Sequence, residues 1–231
     1  MVHRLLKKQV LELLRSSDLP AAEAALAGMP ARQVVNPLFG LLYHGDPLVR
    51  WRAVSAMGAV VAGLADQQME SARIVMRRFM WNLNDESGGI GWGSPESMGE
   101  IMARHAGLAR EYSAILISYA DPEGNFLEHP GLQQGVLWAL GRLGRVRPQV
   151  ARRAAGFVIP FLQQPHDPAL RGLAAWAVRP AVDDALRSLL EPLRGDRRTL
   201  QLYIDGELLP CTIAELVAQS LDAEFRDKDV E

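Results

Sequence analysis

The side chains best suited to hold something are concentrated in one run, WNLNDESGGIGWGSPE, from Trp81 to Glu96. Asp85 and Glu86 are adjacent carboxylates that suit a basic partner. Trp81 and Trp92 are the aromatic type that dominates binding hot spots. Gly88, Gly89, Gly91 and Gly93 free the backbone for close approach, and Asn84 adds an amide. Arg77 and Arg78 stand just upstream, within reach of Asp85 or Glu86, although surface pairs of that kind contribute little. No Lys-Ser/Thr follows the glycines, so the run is not a phosphate loop. Its spacing and the lack of a preceding strand exclude a dinucleotide fingerprint. Two readings stay open. One is a recognition segment. The other is a structured turn, in which Ser94 caps the next helix, Pro95 opens it, Glu96 favours its dipole and Trp92 packs as Trp51 does.

A second constellation is basic: Arg142, Arg145, Arg147, Arg152 and Arg153. Such a stripe could form a positive edge for acidic peptides, nucleic acid or another subunit. Arginines near a helix C-terminus are its plainer reading. The whole chain has 25 Lys+Arg against 27 Asp+Glu, a net charge of −2. That balance argues against a protein devoted to nucleic acid, which needs a basic excess to neutralise phosphates. The five histidines are scattered and form no HExxH, and Cys211 is the only cysteine, so no disulfide, metal centre or cofactor is expected. Cys211 itself reads as a shielded, inert thiol. No nucleophile setting such as GxSxG appears, so the chemistry on offer is binding rather than catalysis.

What must position these residues is a repeat. DPLVR at 46–50 returns as DPALR at 167–171 and more loosely as HPGLQ at 129–133. VRWRAVSAMGAVVA (49–62) aligns without a gap onto IGWGSPESMGEIMA (90–103), pairing Trp51 with Trp92 and Gly58 with Gly99. Periods near 40 residues suit stacked helix pairs. Asp46 and Asp167 can cap helices opened by Pro47 and Pro168. Helices are thus predicted to begin near Asp46, Gly93, Pro130 and Asp167. Their partners are predicted over 33–43, 67–83, 108–120, 148–162 and 181–193, with an amphipathic helix at the N-terminus. One such pair cannot bury its apolar face alone, so the pairs must stack.

DPLVRWRAVSAMGAV, HPGLQQGVLWALGRLG and DPALRGLAAWAV resemble bacterial HEAT-repeat proteins of the type first noticed in phycobilisome lyases. The resemblance covers roughly residues 30–195. It implies an all-α, right-handed α-solenoid of HEAT-like, armadillo-like repeats, and it supplies no reaction. Its implied role is a protein–protein interaction scaffold. Two alternatives come from the same fold. One is a base-excising DNA repair enzyme, for which Trp81, Asp85 and Trp92 with Arg77 and Arg78 are the candidates. The other is a tetrapyrrole lyase or chaperone.

The C-terminus breaks the helical pattern. Leu200, Leu202 and Ile204 alternate with polar residues, and Asp205-Gly206 is a strong hairpin turn that sets Leu202 opposite Leu209 and Leu200 opposite Cys211. Thr212 to Glu215 reads as a capping box opening a short helix through Leu221. The expected division is a solenoid over 1–198 and a hairpin/helix cap with a frayed tail over 199–231. The N-terminal residues are too interrupted by charge for a signal peptide, so the expected compartment is the cytoplasm. No membrane partner is expected, and a homo-oligomer remains open.

Overall fold

The computed structural model describes residues 2–16, 18–84, 91–164 and 166–222, with residues 2–4 described by backbone alone. The helices are α1 (Val2–Leu14), α2 (Leu19–Ala27), α3 (Ala31–Leu41), α4 (Pro47–Gln67), α5 (Met69–Leu83), α6 (Ser94–Arg104), α7 (Ala106–Ser118), α8 (Pro130–Val146), α9 (Pro148–Leu162), α10 (Pro168–Val178), α11 (Asp184–Leu190) and α12 (Ile213–Leu221). Strands β1 (Thr199–Ile204) and β2 (Glu207–Thr212) form a two-stranded hairpin before α12. The architecture is the expected one, packed helix pairs ending in a small hairpin and helix.

The repeated starts have a common physical cause. Asp46 Oδ1 accepts the Leu48 N–H at 2.9 Å, and Asp167 Oδ1 accepts that of Leu170 at 2.9 Å. His129 Nδ1 does the same for Gly131 at 3.0 Å. Each cap is followed by a proline whose missing N–H costs nothing in the first turn. Helices α4, α8 and α10 therefore begin where the repeat places them.

One consequence of the gapless alignment fails. Trp51 lies inside α4, whereas Trp92 lies in the turn before α6, so the two are not equivalent. Gly93 is left-handed (φ 73°), which halts the helix there, and Pro95 belongs to a first turn rather than an interior. Ser94 is not the cap either. Gly93 takes that position, and the Ser94 hydroxyl is buried without a hydrogen-bond partner. The single helix expected over 181–193 is likewise broken: α11 is seven residues long between 3-10 turns at Arg179–Ala181 and Glu191–Leu193, each containing a proline.

Packing gathers the chain into two compact units. The first takes in residues up to Leu116 together with Tyr203–Leu208. The second comprises Ile117–Leu202 and the chain from Leu209 on. In the first unit α2, α4 and α6 lie side by side, backed by α1, α3 and α5. Met57, Met98 and Ile101 are fully buried between them, and Phe39 meets Phe79 with ring centroids 4.5 Å apart. Helix α4 is long and apolar enough to cross a membrane by composition, but most of its surface is covered by these neighbours.

In the second unit α8, α10 and α12 lie side by side, with α9 across α8 and α10. Gly141 makes this possible: a Cβ there would stand 2.2 Å from the Trp176 ring. Trp176 also stacks on Trp138, with centroids 6.2 Å apart.

The hairpin turn is the one its residues dictate, with Asp205 at φ 50° and Gly206 at φ 89°. Strand β1 is the buried one, through Leu200, Leu202 and Tyr203. Leu209 on β2 is 44% exposed, so Leu202 and Leu209 do not bury together as expected. Both halves of the capping box form: Thr212 Oγ1 accepts the Glu215 N–H at 3.2 Å, and Glu215 accepts that of Thr212 at 2.7 Å.

Candidate functional site

The amphipathic pattern of α5 buries Ala72, Val75, Met76 and Phe79 and turns Glu70, Ile74, Arg77, Arg78 and Trp81 outward. Trp81 is 75% exposed and Ile74 57% exposed, one helical turn on either side of Arg77 and Arg78. Helix α3 lies alongside. The Arg78 guanidinium sits 3.8 Å over the Phe39 ring and donates to Asn36 Oδ1 at 2.6 Å. Tyr43, at the end of α3, is 48% exposed, and partial burial raises its phenol pKa against the pull of the Arg78 charge. Together these residues make an aromatic and apolar surface on two helices.

Arg73 and Arg77 are paired with carboxylates of their own helix and of α7. Arg77 donates to Glu70 at 2.7 Å. Arg73 bridges Glu70 and, through two hydrogen bonds of 2.8 and 2.7 Å, Glu111 of α7. Arg77 and Arg78 are thus paired with Glu70 and with Asn36 and Phe39. Asp85 and Glu86 lie outside the described residues, as do Gly88 and Gly89.

Asn84 is exposed and ends α5, its N–H bonded to the Trp81 carbonyl at 3.0 Å. Beyond the gap, Gly91 and Gly93 are both left-handed, with φ 65° and 73°. A Cβ on Gly91 would stand 2.8 Å from the Asn82 carbonyl, and one on Gly93 would stand 3.0 Å from Leu42. The turn carrying the half-buried Trp92 is therefore pressed against the ends of α5 and α3, and these two glycines are required by the path. Just inside α6, the Glu96 carboxyl has one oxygen cut off from solvent and from any hydrogen-bond partner. Burial pushes its pKa up to about 7, opposed by its own backbone N–H and the Arg50 charge.

A buried polar network in the first unit was not anticipated from sequence. Glu100 is almost fully buried and accepts from Arg104 Nε at 2.6 Å, and Arg104 also grips Glu23 of α2 at 2.8 and 3.0 Å. Gly58 makes room, because a Cβ there would lie 2.4 Å from the Glu100 side chain. The Ser55 and Tyr203 hydroxyls meet at 2.8 Å, and Tyr203 stacks on Trp51 with centroids 5.0 Å apart. Burial holds the Tyr203 phenol well above its ordinary pKa. Arg52 donates to the carbonyls of Leu14, Ser16 and Gly206 at 3.1, 2.6 and 3.2 Å. Arg104 thus pairs with carboxylates of α6 and α2 at once, and the network ties these elements together. The only signal in sequence was charge within the apolar pattern of α4 and α6.

In the second unit, Arg145 ends α8 in an exposed position, Arg142 is half-buried one turn earlier, and Arg152 and Arg153 are exposed on α9. Cys211 is half-shielded, and burial aided by the Glu215 charge raises its thiol pKa to about 11. Among the described residues no group of three His, Cys, Asp or Glu could hold a metal ion.

Residues 130–180 match the HEAT-like repeat family. That span is α8, α9 and α10. Over 184 residues the chain is 21% identical to a protein of Archaeoglobus fulgidus described only as uncharacterised, covering 80% of this chain and 93% of that one. Among solved structures, a designed armadillo repeat protein in complex with the peptide (KR)4 aligns at 15% identity and TM-score 0.49, over 93% of this chain and 97% of that one. An archaeal HEAT-like repeats protein from Thermococcus onnurineus aligns at 15% identity and TM-score 0.39, over 94% and 79%.

Proposed function

We propose that this chain is a non-catalytic cytoplasmic scaffold that holds a protein or peptide partner, without a cofactor, on the face formed by α3 and α5. Trp81 carries the reading. It stands 75% exposed at the end of a rigid helix whose inner face is fully packed. Burying an indole and the nearby Ile74 removes a large apolar area from water, and a tryptophan anchor contributes on the order of 2–4 kcal/mol to an interface. Arg73 and Arg77 already have carboxylate partners, so the face suits an apolar or aromatic anchor better than a polyanion. Arg78 is held by Asn36 and Phe39, which keeps the surface pre-organised.

The test is selection of peptides from a random library on the full chain, followed by binding to Trp81→Ala and Tyr43→Ala variants. The reading expects at least a tenfold loss of affinity in Trp81→Ala, with an unchanged melting temperature. Peptides that bind Trp81→Ala as well as the parent would overturn it.

A further inference from the structure

A charge asymmetry marks one stretch of the second unit. From His129 to Val182 the chain has seven arginines, no lysine and one acidic residue, Asp167. Asp167 is committed to capping α10, and Arg171 near that end pairs with Asp196 at 3.5 Å. The other six arginines, residues 142, 145, 147, 152, 153 and 179, belong to the C-terminal part of α8, the first half of α9 and the residue after α10.

Gly144 draws these places together. A Cβ on it would stand 2.8 Å from the Ala151 side chain and 3.6 Å from Pro180. Ala151 is next to Arg152, and Pro180 is next to Arg179. Arg145, the neighbour of Gly144, has its guanidinium 6.0 Å from the Trp176 ring, and its charge acts on Arg179. Arg179 is half-buried and its charged form is disfavoured by that burial. Val146, 48% exposed, sits beside Arg145 among these charges. Around helix α11, which also packs on α9, Asp183 caps its own helix and Glu191 is held by Arg194, while Asp184 is exposed.

We infer that this end of the second unit is a docking surface for an acidic protein segment, one that places carboxylates on Arg145, Arg152 and Arg153 and an apolar side chain on Val146. Arginine forks match carboxylates in bidentate geometry, which is consistent with a patch built from arginine without lysine. A nucleic acid fits less well. Trp176 is buried beneath Arg145, and among the described residues of this unit no large aromatic side chain is exposed for bases to stack on. The inference does not depend on the assignment of the face around Trp81.

Fluorescence anisotropy with the full chain tests this. The probes are a labelled twelve-residue peptide alternating glutamate and leucine, the same peptide with glutamine for glutamate, and a labelled DNA duplex of similar charge. Saturable binding of the glutamate peptide is expected, weakening as salt rises, with at least tenfold weaker binding of the glutamine peptide. Arg145→Gln combined with Arg152→Gln should weaken the glutamate peptide at least tenfold at an unchanged melting temperature, because both side chains are exposed. Val146→Asp should weaken it as well. Equal affinity for the two peptides, no binding at low salt, tighter binding of the duplex, or indifference to the double substitution would each overturn the inference.

Discussion

Replacing Glu96 by glutamine isolates a half-buried carboxyl group in the first turn of α6, one oxygen of which lacks both solvent and a hydrogen-bond partner. Its ordinary pKa of 4.5 is raised to about 7 by burial. Below pH 4.5 the folded and unfolded chains both carry the neutral acid, and nothing is lost. Between pH 4.5 and 7 the unfolded chain releases its proton while the folded chain keeps it, so stability falls as pH rises. Above pH 7 both forms are ionised and the loss levels off. The gap between 4.5 and about 7 corresponds to roughly 3 kcal/mol. Glutamine never ionises, so Glu96→Gln should match the parent near pH 4.5 and exceed it by up to about 3 kcal/mol at pH 8. Urea unfolding of both proteins at several pH values between 4 and 9 gives the comparison. Subtracting the difference at pH 4.5 from that at pH 8 removes whatever the amide changes at every pH. A difference between the two proteins that stays flat across this range would refute the burial argument.

Arg52 offers a harsher perturbation. Arg52→Met leaves the Leu14, Ser16 and Gly206 carbonyls without their donor, and unfolding by denaturant should show a loss on the order of 3 kcal/mol, with Arg52→Lys recovering only part. Cys211, with its thiol near pKa 11, should react with a disulfide reagent at pH 7.5 roughly two orders of magnitude more slowly than an unstructured cysteine, and at the free rate once unfolded. A native rate equal to the unfolded one would contradict the shielding.

Most of the helix plan was legible because local chemistry sets it. Asp46-Pro47 and Asp167-Pro168 cap and open helices wherever they occur, and Asp205-Gly206 makes its turn without help from the rest of the chain. Ser94-Pro95 misled the alignment. The left-handed Gly93 pressed on Leu42 decides where α6 starts, and that contact comes from α3, fifty residues upstream. Of the anticipated site, Trp81, Arg77 and Arg78 share one face because helical periodicity puts them there. Tyr43 and Ile74 escaped notice because their exposure depends on which neighbours α3 and α5 meet. The Arg52 and Glu23–Arg104 interactions were illegible for a related reason. Their partners lie tens of residues away, up to 154 for Arg52 and Gly206, and no local pattern specifies such pairings.

The placement of Tyr203–Leu208 in the first unit has a consequence for how the protein is made. Helices α1 to α6 emerge from the ribosome roughly 100 residues ahead of the strand tip that fits them, an interval of about 5–20 s at ordinary elongation rates. Throughout that time Trp51 lacks its stacking partner, Ser55 its phenol, and Arg52 one of its three carbonyls. The earliest helices can collapse but are finished only by a segment translated long after them. A nascent chain stalled before Tyr203 would expose that seam to chaperones and proteases, and a fragment ending at residue 198 would fold as an open first half rather than as a complete domain lacking an appendage.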